Sequence, residues 1–483
     1  CDAKLRHTLG SAHQISVSRL RPPSTPHNSR AGARSCNSPK NRARQRLASP
    51  LVLEPPSVWA ADFAFARLCN MGAPSQNSKI ALYAGTAITV TGILLVLRRR
   101  RRLVGLPFRV RWFLWTRPKD ESLPKEPTKE WLNKVQEDAV QDFSLQYSFT
   151  GVELVYGRLF GWQPDFIAET RVFNLDIPVR GGFRVNARAF VSDAAGTSRG
   201  TWAQTIVLNI HGGGWVFLGG GTHDVVARQL AHRTGAVVVN VDYRKAPGHR
   251  YPVPLEDCVD ALKFVTSEKG VKILEGHLNC RINAARVFIC GDSAGGNLAA
   301  ATCLHIQKSG NSGLLQRIAG QILIYPCLSR TTVRSKDPNS SYNMFQEGYG
   351  LTKEKMEWFW YQYTGVPVDA EGPEIEERIR YAALADKGIS TQSLSGLPPV
   401  VIMLADHDVL KDDGELYASK LKKAGVNVEI MVVPNTIHGL WDKRALDKSG
   451  QRIFLHVAAT FIASKLSNIN GLSAAPPLRA ART

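Results

Sequence analysis

The 483-residue sequence contains no C-x-x-C pair, and its eight cysteines (positions 1, 36, 69, 258, 280, 290, 303 and 327) keep no regular spacing. That excludes a zinc ribbon, a thioredoxin-like redox centre and a disulfide-stapled mini-domain. A chain of this length buries enough apolar surface to fold without such staples. Acidic residues are nearly missing from the front: residues 1–111 carry 19 Lys+Arg against 3 Asp+Glu, a local charge of +16. The following 372 residues carry 42 against 38, only +4 of the total of +20. A nucleic-acid enzyme is basic over its folded domain, so no nucleic-acid partner is expected. The phosphate-loop pattern G-x-x-x-x-G-K-[ST] is absent, and the run Gly219-Gly220-Gly221 leads only to Thr222-His223. Collagen-like, coiled-coil and low-complexity compositions are absent too.

The basic front end has its own organisation. Residues 1–70 are rich in Ser, Arg, Pro and Ala and show no apolar period. They read as a disordered or non-native leader, with an organelle transit peptide as the rival reading. Met71, just ahead of the first organised segment, is the expected initiator. Ile80–Leu97, IALYAGTAITVTGILLVL, is an uncharged run of 18 residues. As a helix it spans about 27 Å, close to an endoplasmic-reticulum hydrocarbon core, and predicts a single transmembrane anchor over 80–97. Five arginines, Arg98 to Arg102, follow directly. A cleavable signal peptide carries its charge first, so that reading is excluded. The positive-inside rule puts the following domain in the cytosol. The one glycosylation pattern, Asn339-Ser340-Ser341, is too common by chance to decide the side.

Beyond residue 165 short β-branched runs recur at Thr205–Ile210, Ala236–Asp242, Arg286–Cys290, Gln321–Tyr325, Pro399–Leu404 and Val428–Val433. Helical stretches separate them, among them Thr222–Thr234, Glu256–Lys269 and Gly295–Ser309. Continuous apolar strands alternating with amphipathic helices predict an α/β fold, a mostly parallel sheet with helices on both faces. Two regions break the alternation and read as a helical cap. One lies within 98–165, behind the juxtamembrane arginines; the other is an insertion at about 335–385 that holds the aromatic run Trp358–Tyr363, expected to be cap core. The catalytic domain is expected over 166–465, with a disordered tail at 466–483.

Gly291-Asp292-Ser293-Ala294-Gly295-Gly296-Asn297 follows the Arg286–Cys290 strand and precedes a helix. The G-x-S-x-G pattern needs that setting, because flanking glycines permit a tight strand-to-helix turn that presents the serine oxygen. Ser293 is therefore the expected nucleophile. His211-Gly212-Gly213-Gly214-Trp215 directly follows the strand Thr205–Ile210. Acyl transfer develops negative charge on a carbonyl oxygen, and preorganised backbone N–H groups stabilise it. Gly213 and Gly214, joined by the N–H of Ala294, are the expected oxyanion hole; His211 is expected only to order the loop. His438, after the last strand, is the expected base. Asp406 and Asp408 both follow the strand Pro399–Leu404, and spacing does not separate them as partners of that histidine. The order Ser, Asp, His is the one α/β-hydrolases use.

With these residues in place, the sequence resembles the hormone-sensitive lipase branch of the α/β-hydrolases, with the arylacetamide deacetylase-like esterases. The likeness rests on HGGGW at 211–215, VDYRKAP at 241–247, YPVPLEDC at 251–258, GDSAGGN at 291–297, DHDVLKDDG at 406–414 and the IHG around His438, and it covers about residues 165–465. The family's D-x-L-x-D pattern falls on Asp408-Val409-Leu410-Lys411-Asp412, which implies Asp408 as the acid. Lys245, Gly248 and Leu440 depart from the usual Leu, Glu and Phe. Tyr243, Arg244, Glu256 and Asp257 are expected to tie loops beneath the site.

The expectation is a membrane-anchored serine carboxylesterase with the triad Ser293, Asp408 and His438, acting on a small apolar acetyl, sterol or lipid ester. No metal or organic cofactor is implied. A long-chain lipase of the same family is the alternative. A non-catalytic receptor on this fold is disfavoured because such proteins lose the histidine. The likeness to membrane-anchored deacetylases implies a luminal domain, against the cytosolic side read from the arginines.

Overall fold

The computed structural model describes Leu106 and residues 123–137, 170–192, 204–441 and 448–470. The expected leader and the expected transmembrane helix at 80–97 lie outside them. Among the described residues no helix is long and apolar enough to cross a membrane.

Eight strands form one sheet: β1 (Thr170–Pro178), β2 (Arg184–Ser192), β3 (Gln204–Ile210), β4 (Val237–Val241), β5 (Ile282–Asp292), β6 (Ile318–Ile324), β7 (Val400–His407) and β8 (Val428–Ile437), in the order β1-β2-β4-β3-β5-β6-β7-β8. β1 and β2 pair antiparallel, as do β2 and β4; every other pairing is parallel. The parallel strands are the six expected from sequence. β1 and β2 were not expected, because TRVFNLDIP and RVNARAFVS interleave charges with apolar residues, as an outer, half-exposed pair can.

Helices follow in chain order: α1 (129–137), α2 (Asp224–Thr234), α3 (Val253–Val265), α4 (Glu268–Leu278), α5 (Ala294–Lys308), α6 (Ser312–Arg317), α7 (Ser341–Met344), α8 (Lys353–Thr364), α9 (Pro373–Arg378), α10 (Lys411–Lys423) and α11 (Lys448–Asn470). The single helix expected over Glu256–Lys269 breaks in two at Thr266, where the Ser267 side chain caps α4 by accepting from the Gly270 N–H. α11 continues to Asn470, past the expected boundary at 465.

The alternation of side chains along each strand builds two cores. Val400, Ile402 and Leu404 of β7 join the layer that holds α3, α5 and α10. Val401, Met403 and Ala405 face the layer of α2 and α11. Each fully buried aliphatic side chain contributes about 1.5–3 kcal/mol. Two of the polar residues buried in the central strands pair with each other: Asn209 and Asn240 are in register on β3 and β4, with Nδ2 of the first donating to Oδ1 of the second at 2.9 Å. The segments that follow the C-terminal ends of β3, β5, β7 and β8 carry the expected site residues: Gly213 and Gly214, Ser293 and Ala294, Asp408, and His438.

Candidate active site

β5 ends in Asp292 and α5 begins at Ala294, so Ser293 alone makes the turn. Its backbone is left-handed (φ 54, ψ −121), a costly conformation for a residue with a side chain. The neighbouring packing over-determines it. A Cβ at Gly295 would collide with the carbonyl oxygens of Ile210 and His211, so only glycine lets α5 start flush against the end of β3. The Ser293 N–H donates to Ile324 O at 2.9 Å, and Ser293 O accepts from the Asn297 N–H at 3.1 Å.

His438 follows β8 directly. Its Nε2 lies 3.0 Å from Ser293 Oγ, and its Nδ1 lies 2.7 Å from Asp408 Oδ2. Asp408 is 1% exposed, and its other oxygen accepts from the Leu410 N–H at 3.0 Å. The structure thus joins Ser293, His438 and Asp408 and separates the two aspartates that spacing could not. Asp406 turns to the backbone of the histidine's own strand, accepting from the N–H groups of Asn435 (2.7 Å) and Thr436 (2.9 Å), with His407 Nδ1 at 2.7 Å. Burial alone would push the Asp406 carboxyl up, but these hydrogen bonds hold it below the ordinary carboxylate value.

The glycine loop arrives from β3. The Gly212 N–H donates to Asp292 Oδ1 at 3.1 Å, which ties the loop to the residue before Ser293. Gly213 has φ +99, and its carbonyl accepts from the N–H groups of Val216 and Phe217. Among the described residues no protein group accepts from the N–H of Gly213, Gly214 or Ala294. That is the condition an oxyanion hole requires. His211 is fully buried and stacks on Tyr243 (centroids 4.4 Å apart), with Nδ1 2.7 Å from Gly212 O. Burial pushes its imidazole below the ordinary value, against the opposing pull of Asp242, whose Oδ1 lies 3.5 Å from Nε2.

Of the supporting residues expected beneath the site, Tyr243, Arg244 and Asp257 take that place, whereas Glu256 pairs with Arg180 at 3.1 Å. Arg244 forks onto Asp257 (2.6–3.2 Å), and the Tyr243 hydroxyl donates to His211 O at 3.1 Å. Other contributors were not foreseen. Asp292 bridges Gly212 to the buried His223, whose Nε2 lies 2.9 Å from Oδ1. Tyr325 places its ring 4.6 Å from His438, while its hydroxyl accepts from the Trp441 N–H at 3.0 Å. Asp412 accepts from the Ser341 N–H at 2.9 Å, and Ser341 Oγ donates to Val409 O at 2.6 Å, which clasps cap helix α7 to the Asp408 loop. Asp292 and Asp412 belong to motifs visible in sequence; Tyr325 gave no signal. In the aromatic run, Trp360 and Tyr363 are fully buried and pack on Trp215, as cap core. Phe359 is only partly buried and lies against Gly214. Among the described residues no cluster of three or more His, Cys, Asp or Glu side chains could hold a metal ion.

Strand order and site together define the class: the chain belongs to the α/β-hydrolase family, in its hormone-sensitive lipase-like branch. A family model described as alpha/beta hydrolase fold matches residues 207–442. Carboxylesterase NlhH of Mycobacterium tuberculosis is 35% identical over 236 residues, covering 48% of this chain and 66% of that protein. The chain thus spans just under two thirds of the length of that relative. Vegetative-specific protein H5 of Dictyostelium discoideum is 30% identical over 270 residues, covering 55% and 71%. Among solved structures, an esterase of Pyrobaculum calidifontis is similar at TM-score 0.57 and 29% identity, over 74% of this chain and 99% of that one.

Proposed function

We propose that this protein is a serine carboxylesterase that hydrolyses small apolar carboxylic esters. One observation carries the reading: the unbroken hydrogen-bond path from Ser293 Oγ through His438 to the buried Asp408 (3.0 and 2.7 Å). Ser293 Oγ attacks the ester carbonyl while His438 Nε2 takes its proton. Asp408 fixes the tautomer through Nδ1 and stabilises the imidazolium. The carbonyl oxygen, now negative, is held by the N–H groups of Gly213, Gly214 and Ala294. Collapse expels the alcohol, which receives the proton from His438, and leaves an acyl group on Ser293. Water, deprotonated by the same histidine, attacks that acyl-enzyme and releases the acid. The curated relative NlhH, a carboxylesterase by name, supports the ester class.

The test is hydrolysis of p-nitrophenyl acetate and a longer-chain homologue by the full chain beside Ser293→Ala and His438→Ala. Activity should fall by about 10³-fold or more in each variant. Wild-type turnover that survives Ser293→Ala would reject the mechanism. The ratio of the two substrates separates the small-ester esterase from a long-chain lipase. We also propose that residues 80–97 anchor the protein in the endoplasmic-reticulum membrane, on the strength of their 18 uncharged residues followed by five arginines. Release of the full chain by alkaline extraction would reject that anchor. A glycosylation-site scan of both flanks reports whether the domain faces the cytosol, as the arginines favour.

A further inference from the structure

The loop that presents Gly213 and Gly214 is not self-supporting. Val216 and Phe217 both donate to Gly213 O (3.2 and 2.9 Å), which closes a tight turn. Within it Trp215 (φ 61) and Leu218 (φ 68) are left-handed, although both carry side chains. A turn strained at two residues keeps its shape only when outside groups hold it. One such hold is the Ala246 N–H on Trp215 O, at 3.0 Å. A second comes from far along the chain: the Leu218 N–H donates to Gln136 Oε1 at 2.8 Å.

Gln136 lies on α1, and the segment that leads into α1 is itself fastened to the cap. Trp358 Nε1 donates to Pro124 O (2.6 Å), the Tyr361 hydroxyl to Glu126 Oε1 (2.8 Å) and Gln362 Nε2 to Lys125 O (2.8 Å). Trp131 packs on Phe217 and Trp358 with centroids 6.3 and 6.0 Å away, and Phe359 lies against Gly214. Segment 123–137 is therefore held by α8 on one side and meets the turn through Trp131 against Phe217 and through one side-chain hydrogen bond, that of Gln136.

We propose that Gln136 is a positioning residue for the oxyanion hole, fixing the 213–218 turn so that the Gly213 and Gly214 N–H groups are placed before an ester binds. The proposal rests on the esterase reading above. Gln136 touches no reacting atom; it acts through Leu218. Donors aimed at a developing charge lower the barrier only if they need no reorganisation, so loosening the turn costs turnover and leaves ground-state binding almost untouched.

The experiment uses the full chain as wild type, Ser293→Ala, Gln136→Leu, Gln136→Asn and Gln136→Glu. The readouts are kcat and KM for p-nitrophenyl acetate, inhibition by an alkyl trifluoromethyl ketone, and melting temperature. Such a ketone adds to the serine and places an oxyanion in the hole. Gln136→Leu and Gln136→Asn should lower kcat about tenfold with KM within about twofold, and weaken the ketone by the same factor. Gln136→Glu keeps an oxygen acceptor at the same reach and should recover to within about threefold of wild type. Should Gln136→Leu fail to fold, Gln136→Asn, which only withdraws the acceptor by one methylene, carries the same expectation. Unchanged kcat in folded Gln136→Leu or Gln136→Asn overturns the proposal. So does a rise in KM alone, or a folded Gln136→Glu as slow as Gln136→Leu. Wild-type turnover independent of Ser293 overturns the esterase reading instead.

Discussion

Ser293 stands on a turn shaped by contacts between backbone atoms, whereas His438 stands on a loop suspended from distant side chains. At the serine, Gly295 leaves no space for a Cβ against Ile210 and His211, and the left-handed Ser293 follows from that closeness. At the histidine, Asp406 holds the N–H groups of Asn435 and Thr436, Tyr325 accepts from Trp441, and Gln451 Nε2 donates to Trp441 O at 2.7 Å. The first support is all-or-none, because carbonyl oxygens of a central strand cannot yield to an intruding carbon. The second is graded, since each hydrogen bond is a separate increment.

The sharpest way to break this contrast is Gly295→Ala. The added methyl meets backbone on a central strand, so the elbow must open or the sheet must shift. We expect a loss of more than about 4 kcal/mol in folding stability, or no soluble protein, with ester hydrolysis down by more than about 10²-fold. Denaturant unfolding and p-nitrophenyl acetate turnover check this. A variant with wild-type midpoint and rate would show that the elbow is not set by sterics.

A smaller effect is expected on the histidine side. Tyr325→Phe removes the acceptor for the fully buried Trp441 N–H and keeps the ring against His438. Leaving one buried donor unpaired costs about 1–3 kcal/mol, with turnover lowered severalfold and not abolished. The same two assays report it. A loss of activity as deep as that of Gly295→Ala would mean that the loop is no more forgiving than the elbow.

The same contrast explains what the sequence could disclose. Where sterics dictate a residue type, the type becomes a pattern: the glycines around Ser293 and in the loop at 211–214 were legible because nothing else fits. Five of the six parallel strands were legible because burial on both faces favours continuous apolar runs, and the edge strand β8 carries such a run although Met431 and Val432 are exposed. Where a side chain works across the fold, the pattern dissolves. Asp406 and Asp408 stand two residues apart, and only the closing of β8 beside β7 shows which meets the imidazole and which meets the backbone. Tyr325 and Gln136 look ordinary in sequence because their partners, Trp441 and Leu218, come from distant parts of the chain. That Asp408 and not Asp406 faces His438 was legible only through resemblance, never through spacing.

Asp406 gives the finest test of the suspended loop, because its contribution is tied to charge. Its carboxylate accepts two backbone N–H groups and faces His407, which holds its folded titration below the ordinary aspartate value of about 4. A carboxyl depressed on folding stabilises the native state above its unfolded pKa, and that stabilisation is lost as pH falls through the folded pKa. Asp406→Asn keeps the shape but can offer only one oxygen acceptor, so its NH₂ must face one of the two backbone donors. At pH 7 the variant should be less stable by about 1–2 kcal/mol, with a turnover deficit smaller than that of Tyr325→Phe. The stability gap should stay constant down to about pH 5 and narrow below about pH 4, once the wild-type carboxylate begins to take up its proton. Melting temperatures of both proteins across that range are the measurement. A gap that does not narrow in acid would mean that the carboxylate's charge contributes nothing to holding the histidine loop, and that shape alone suspends it.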